Sequence, residues 1–318
     1  MADIKKILEG LPSNWYRWGP EDELGTLNVL NASEVLRGVA SVRTGKVFTL
    51  GLPIGSTEGD LVWPGRTPTK HYMVADKSHF VAAKQPAIPG TGGVEYADDV
   101  VHMYLQGTTQ VDALGHIWYD NTLYNGYDAM TTTAGLARNG VEHMAAHGMV
   151  GSAVLLDVAR YLGLEALPKG YEITLAELLA TAKEQAVEVQ PHDFLILRTG
   201  YYLNYVRGGV SGYLQGELNE PGVTLSKELA TWFYQMCFPV FATDTMGNEQ
   251  THSTKTGTKQ PLHPYFITRL GMTLLEMAWL EDLALDCATD GQYRFLMVVS
   301  PLKFLGGAGS PVNPIVVK

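Results

Sequence analysis

Leucines and alanines recur at helical spacing through LAELLATAKEQAVEV, residues 175–189, so that one stripe of the segment is apolar and the opposite face is polar. Thr174-x-x-Glu177 precedes this stripe and has the form of a capping box, in which the two side chains satisfy the free backbone N–H groups of a helix start. Asn31-x-x-Glu34 predicts a second helix start ahead of VLRGVASV, with Gly45 placed to end it. LSKELATWFYQM, residues 225–236, reads as an amphipathic helix, and GMTLLEMAWLEDLALD, residues 271–286, as another. Residues 131–148 mix helix formers with glycines and read as two short pieces.

Between these stripes lie short, nearly continuous apolar runs of strand length: VGSAVLLDVA, HDFLILRTG, FPVFATD and YRFLMVVSPL. KVFTLGLPI reads as a strand as well, and several strands follow one another between residues 46 and 120. Alternating strands and helices together with that run of strands predict an α/β chain with a mixed sheet. No repeat or linker breaks the sequence, so residues 1–318 read as one continuous domain.

Composition narrows the function classes. Of the 318 residues, 46% are hydrophobic and 18% charged, enough for a large core, and the net charge is -10 with a pI of about 5.4. That charge does not offer the basic surface that nucleic acid requires, and an anionic membrane surface would repel it. No apolar run approaches the roughly 18 residues of a membrane span, and MADIKKILEGLPSNW lacks a secretory pattern, so the cytoplasm is the expected compartment. Cys237 and Cys287, the two cysteines, sit in apolar surroundings and read as core.

One stretch concentrates chemistry. QGTTQVDALGH, residues 106–116, holds two glutamines, an aspartate and a histidine. In an extended segment alternate residues share a face, so Gln110, Asp112 and, if the strand continues, Leu114 and His116 point the same way. Carboxylate, imidazole and amide oxygens can together hold a divalent cation, with oxygen donors leaning toward Mn²⁺ or Mg²⁺. The same residues could equally satisfy backbone groups in a polar loop, and spacing alone leaves both readings open.

The stretch aligns without gaps with H-x-G-T-H-x-D-x-P-x-H, the signature of the metal-dependent hydrolases known as the Putative cyclase family, which includes bacterial kynurenine formamidase and isatin hydrolase. Thr109, Asp112 and His116 match; Gln106 and Gln110 replace histidines, Thr108 a glycine and Leu114 a proline. SNWYRWGPEDELGTLN, GHIWYDNTLYNGY, VLLDVARYLG, DFLILRTGYY and GSPVNPI extend the likeness over residues 13–316. The chain resembles a branch of that family in which TQ-x-D stands for TH-x-D.

The resemblance implies a mixed-sheet or barrel-like core flanked by helices and one bound divalent ion, Mn²⁺ or Zn²⁺, rather than two. It makes Asp112, His263 and Glu276 ligands, adds Gln106 and Gln110 as weaker candidates, and makes His116 the catalytic acid/base. It further implies a homo-oligomer, dimer or tetramer, and a small-molecule substrate with an amide or ester carbonyl, as in an arylformamidase. Ring-opening of a lactone or cyclic imide, or a cyclisation or dehydration, would use the same groups. The reading from another class is a metal-free small-molecule binding protein, to which the two glutamines point. Trp63, Tyr119, Tyr124 and Arg198 are candidate substrate contacts, with a structural ion pair to a local acid as the other reading of Arg198; His102 could replace a missing imidazole or sit on a strand face, and Asp244 could orient a ligand histidine or cap a turn.

Overall fold

The computed structural model describes residues 3–56, 60–82 and 86–318. Its strands in chain order are β1 Val47–Thr49, β2 Lys70–Ala75, β3 Asp98–His102, β4 Gln110–Asp112, β5 Met149–Asp157, β6 Glu172–Ile173 and β7 Phe194–Arg198. They continue with β8 Gly222–Val223, β9 Val240–Thr243, β10 Thr273–Glu276, β11 Arg294–Val299, β12 Gly309–Pro311 and β13 Ile315–Val317. Nine form one sheet in the order β1-β13-β11-β5-β7-β9-β10-β4-β12. β5, β7, β9 and β10 run parallel at its centre, and antiparallel strands flank them on both sides. The sheet is therefore mixed and carries helices against it, as the α/β pattern predicts.

The parallel centre explains the continuous apolar runs. All residues of β7, β9 and β10 are buried, and apart from polar residues at strand ends (Arg198, Thr243, Thr273 and Glu276) their side chains are apolar without alternation, as expected of strands covered on both faces. Phe233 of the helix Lys227–Met236 packs on Phe266 at 4.7 Å between ring centroids and on Phe241 of β9 at 5.2 Å. The Thr174 capping box is present and opens Leu175–Glu184, an N-cap contribution of about 1 kcal/mol. Asn31 caps Ala32–Val39 through Ser33 N–H, whereas Glu34 turns to Arg37 and His192 instead of completing a box. That helix ends before Gly45, which adopts φ 75° and donates to the carbonyl of Lys318.

Residues 271–286 are not one helix. Thr273–Glu276 is strand β10, and the helix begins only at Glu281. TLLE is buried on both faces between β9 and β4, and in such a run periodicity does not separate strand from helix. Residues 131–148 do divide, into a 3-10 turn at Ala129–Thr132 and a helix at Val141–His147.

Candidate metal centre

The short strand β4 carries Gln110 and Asp112 on one face, and its neighbour β10 ends with Glu276 directly opposite Gln110. Residues paired across an antiparallel ladder share a face, so two carboxylates and an amide converge. The site thus lies at the carboxyl end of a central parallel strand, the usual position for function in open α/β sheets. The strand stops at Asp112. Ala113–His116 turns back through His116 N–H to the Ala113 carbonyl at 2.9 Å, sending Leu114 into the core and placing His116 Nε2 3.9 Å from Asp112 Oδ1.

The third buried group arrives from far along the chain. His263, in the helical turn Leu262–Pro264, sets Nε2 3.2 Å from Glu276 Oε1 and 3.7 Å from Asp112 Oδ2. Asp112, His263 and Glu276 each offer a ligand atom, and these atoms lie within 4.8 Å of one another. Glu249 fixes the imidazole. Its carboxylate accepts the backbone N–H groups of Leu262, at 2.7 Å, and of His263, and stands 3.4 Å from His263 Nδ1. The negative charge of Glu249 beside Nδ1 favours a proton on that nitrogen and leaves the Nε2 lone pair to an ion, although Nδ1 makes no hydrogen bond among the described residues. Of the two roles open to Asp244, orienting a histidine or capping a turn, it takes the second: it accepts from Thr199 and Gly200 and caps the turn after β7.

Hydrogen bonding tests whether these residues fit a cation. Both oxygens of Asp112, Glu276 Oε1 and Gln110 Oε1 are buried with no hydrogen-bond donor. Buried polar atoms are nearly always paired, so several orphaned acceptors in one place call for a positive charge. Gln110 Nε2 donates to Glu276 Oε2, which aligns both side chains and leaves Gln110 Oε1 and Glu276 Oε1 as the unused lone pairs. The donor set fits a divalent ion: three oxygens and one imidazole nitrogen.

Electrostatics agree. Burial, then the neighbouring Asp112, pushes Glu276 up to about 7. For Asp112 burial acts upward, but the positive charge of His116, His263 and Arg66 outweighs it and the pKa falls. Burial opposes a proton on His263, yet Asp112, Glu249 and Glu276 together raise its pKa well above the ordinary value. His116 differs: burial dominates, with Asp112 only partly opposing, and its pKa is lowered. A neutral imidazole at the rim and a proton-hungry cluster beneath it form a site that can accept a proton next to a bound cation.

The remaining sequence candidates separate. Tyr119 lines a cleft of about 270 Å³ with Trp118, Gln260 and His263. Trp63 packs against the apolar cluster of Leu61, Tyr202 and Met277, which lines a second cavity of about 500 Å³ with Tyr205, Trp279, Gly107 and Thr108. Gln106 is buried, and its Nε2, a nitrogen without an acceptor, lies against Gly309. The structure engages the other two substrate candidates elsewhere. Tyr124 is fully buried and donates to Asp22 at 2.8 Å, locking the N-terminal segment. Arg198 donates to Asp157 at 2.8 Å, to Glu281 at 2.7 and 2.9 Å and to the Glu165 carbonyl at 3.0 Å, a structural network. His102 lies on the exposed ribbon formed by β2 and β3.

Two participants escaped the sequence reading. Glu249 had no spacing cue, being 14 residues from His263, although NEQTH after the apolar run FPVFATD is a polar loop at a strand end. Arg66 donates to the Gln106 carbonyl at 2.8 Å, and the Pro64-Gly65 turn before it was its only signal.

The family model described as Putative cyclase matches residues 49–250. The chain belongs to the Putative cyclase family. A crystal structure described as a novel cyclase is 33% identical, with a TM-score of 0.86, and the match covers 96% of this chain and 100% of that one. Isatin hydrolase A from Labrenzia aggregata, bound to benzyl benzoate, shares the fold at 17% identity and a TM-score of 0.60, over 89% of this chain and 97% of that one. So does a predicted metal-dependent hydrolase from Bacillus stearothermophilus, at 15% identity and a TM-score of 0.51, over 85% and 97% of the two chains. No curated protein matches. In this member of the Putative cyclase family the matched segment contributes Asp112, His116 and Glu249, while His263 and Glu276 lie beyond it. Among the described residues no helix is long and apolar enough to cross a membrane.

Proposed function

We propose that this Putative cyclase chain is a metal-dependent hydrolase that cleaves an amide or ester carbonyl of a small aromatic or cyclic molecule. The observation that carries the reading is the set of orphaned buried acceptors on Asp112, Glu276 and Gln110 facing the His263 imidazole, with His116 at their rim. The names of fold relatives, isatin hydrolase and metal-dependent hydrolase, are of the same class. Asp112, His263 and Glu276 would hold one divalent ion, with Gln110 Oε1 as a fourth donor; an amide presenting its nitrogen is no ligand, so Gln106 is left out. Three oxygen donors favour Mn²⁺ over Zn²⁺.

The chemistry such an ion supplies is Lewis acidity toward water and a carbonyl oxygen. His116, kept neutral by burial, takes a proton from the attacking water at Nε2 and returns it to the departing nitrogen or oxygen. Asp112, 3.9 Å away, stabilises the imidazolium formed in between. Glu249 keeps the His263 ring from rotating out of the site. Tyr119, beside His263 in the smaller cleft, and Trp63, packed on apolar residues that line the larger cavity, would supply aromatic surface for the substrate.

The deciding experiment is elemental analysis of metal per chain after dialysis against Mn²⁺ or Zn²⁺, for wild type and Asp112→Asn. About one ion in the wild type and almost none in the variant is expected. A wild type that holds no ion ends the hydrolase reading and leaves a metal-free binding protein, whereas a variant that keeps the ion removes Asp112 from its ligands.

A further inference from the structure

We infer that Arg66 and the side-chain amide of Gln106 form a receptor for a carboxylate on the ligand, so that this chain selects anionic over neutral molecules of the same shape. The inference deepens the hydrolase reading, because it assigns a charge to the substrate or product of that site.

Arg66 is half-buried in the turn after Trp63, and one nitrogen, Nη1, is tied to the Gln106 carbonyl at 2.8 Å. No carboxylate lies within 4.0 Å of the guanidinium among the described residues. The other arginines near the sheet behave differently: Arg37, Arg198 and Arg294 are each committed to two or more acceptors. Among the described residues no acceptor takes Nε or Nη2 of Arg66. A guanidinium presents its N–H groups as a fork that matches the two oxygens of a carboxylate.

A second, independent observation lies beside it. Gln106 Nε2 is buried without an acceptor, and an unpaired buried donor is costly unless a ligand completes it. The bond from Arg66 to the Gln106 carbonyl holds the two residues together. Gly107 and Thr108, directly after Gln106, line the cavity shared with Leu61, Tyr202 and Trp279. Toward the cluster, Gln106 Nε2 lies against Gly309, the ladder partner of Asp112. The site is thus divided into unpaired acceptors on β4 and β10 and unpaired donors at Arg66 and Gln106. The acceptors suit a cation, and the donors suit an anionic ligand group.

The test uses benzoate and its neutral isostere benzamide as probes, titrated calorimetrically into Mn²⁺-loaded wild type, Arg66→Gln and Arg66→Lys. Wild type is expected to prefer benzoate, and Arg66→Gln to lose about tenfold to hundredfold of that preference, the range of a hydrogen-bonded charge pair. Benzamide affinity should stay level, which shows that the variant is folded, and Arg66→Lys should retain part of the preference through its charge alone. A benzoate-to-benzamide ratio unchanged in Arg66→Gln overturns the inference, as does a wild type without preference for benzoate. Bound Mn²⁺ per chain is read in the same samples; its absence would defeat the hydrolase reading, whereas the ratio alone decides the role of Arg66.

Discussion

Two buried charge clusters sit on the same sheet and are built in opposite ways. At the ends of β5 and β7, Arg198 is only 4% exposed and meets Asp157 and Glu281, and Arg160 adds a further contact to Asp157 at 3.2 Å. Donors and acceptors there are matched. At β4 and β10, Asp112 and Glu276 are buried as deeply, yet three of their four oxygens have no donor. A matched cluster needs nothing more and acts as structure; one with surplus acceptors has been left incomplete for a cation. Sequence position alone would have treated Arg198 and Asp112 alike, since both end a strand.

Substitution should therefore act on chemistry in one cluster and on stability in the other. The largest effect is expected from His116→Ala, which should lower kcat by about 10²–10⁴ while bound metal is retained, the usual loss of a general acid/base. An unchanged kcat would remove His116 from the reaction. Next comes Arg198→Met, which strands Asp157 and Glu281 without their cation and should cost about 3–5 kcal/mol in urea unfolding. Metal per chain should not change in the folded fraction. Loss of the ion with little loss of stability would mean that Arg198 serves the site after all.

Much of the frame was legible in the sequence because its signals were local. The Thr174 capping box and the apolar runs that became β5, β7, β9 and β11 each depend on residues close in the chain. Asp112 was legible for the same reason. What failed was set by tertiary contact. TLLE became a strand because β9 and β4 enclose it, and the carboxylate behind His263 proved to be Glu249 rather than Asp244 because a loop returns it to the Leu262 and His263 N–H groups. His116 approaches Asp112 through a turn, whereas the spacing had placed it there only if the strand continued. Whether an arginine is used up by neighbours, as Arg198 is and Arg66 is not, has no sequence signature.

The smallest effect sharpens the comparison without any substitution. In the metal-free protein the surplus acceptors can be relieved only by protons. Glu276 rises from 4.5 to about 7 through burial and the nearby Asp112, and His263, against its own burial, is raised by its three carboxylates. Both groups bind protons more tightly folded than unfolded. Their contribution to stability is full below the unfolded pKa values and disappears as pH rises through the folded ones. Asp112 and His116 have the opposite sign: the depressed Asp112 pKa keeps its effect below 3.8, outside this window, while the His116 pKa, lowered by burial, offsets part of the decline up to about pH 6.5. Chelator-treated protein should therefore lose on the order of 2 kcal/mol between about pH 5 and pH 8, read as a Tm that falls by several degrees. Mn²⁺ replaces the protons on Glu276 and His263 and should remove their share of the decline, leaving the part due to Glu220, pushed up to about 8 by burial, and Asp244, pushed up to about 6 by burial. A decline equally steep with Mn²⁺ bound would place the titrating groups outside the cluster, and the orphaned oxygens would no longer distinguish it from the matched network around Arg198.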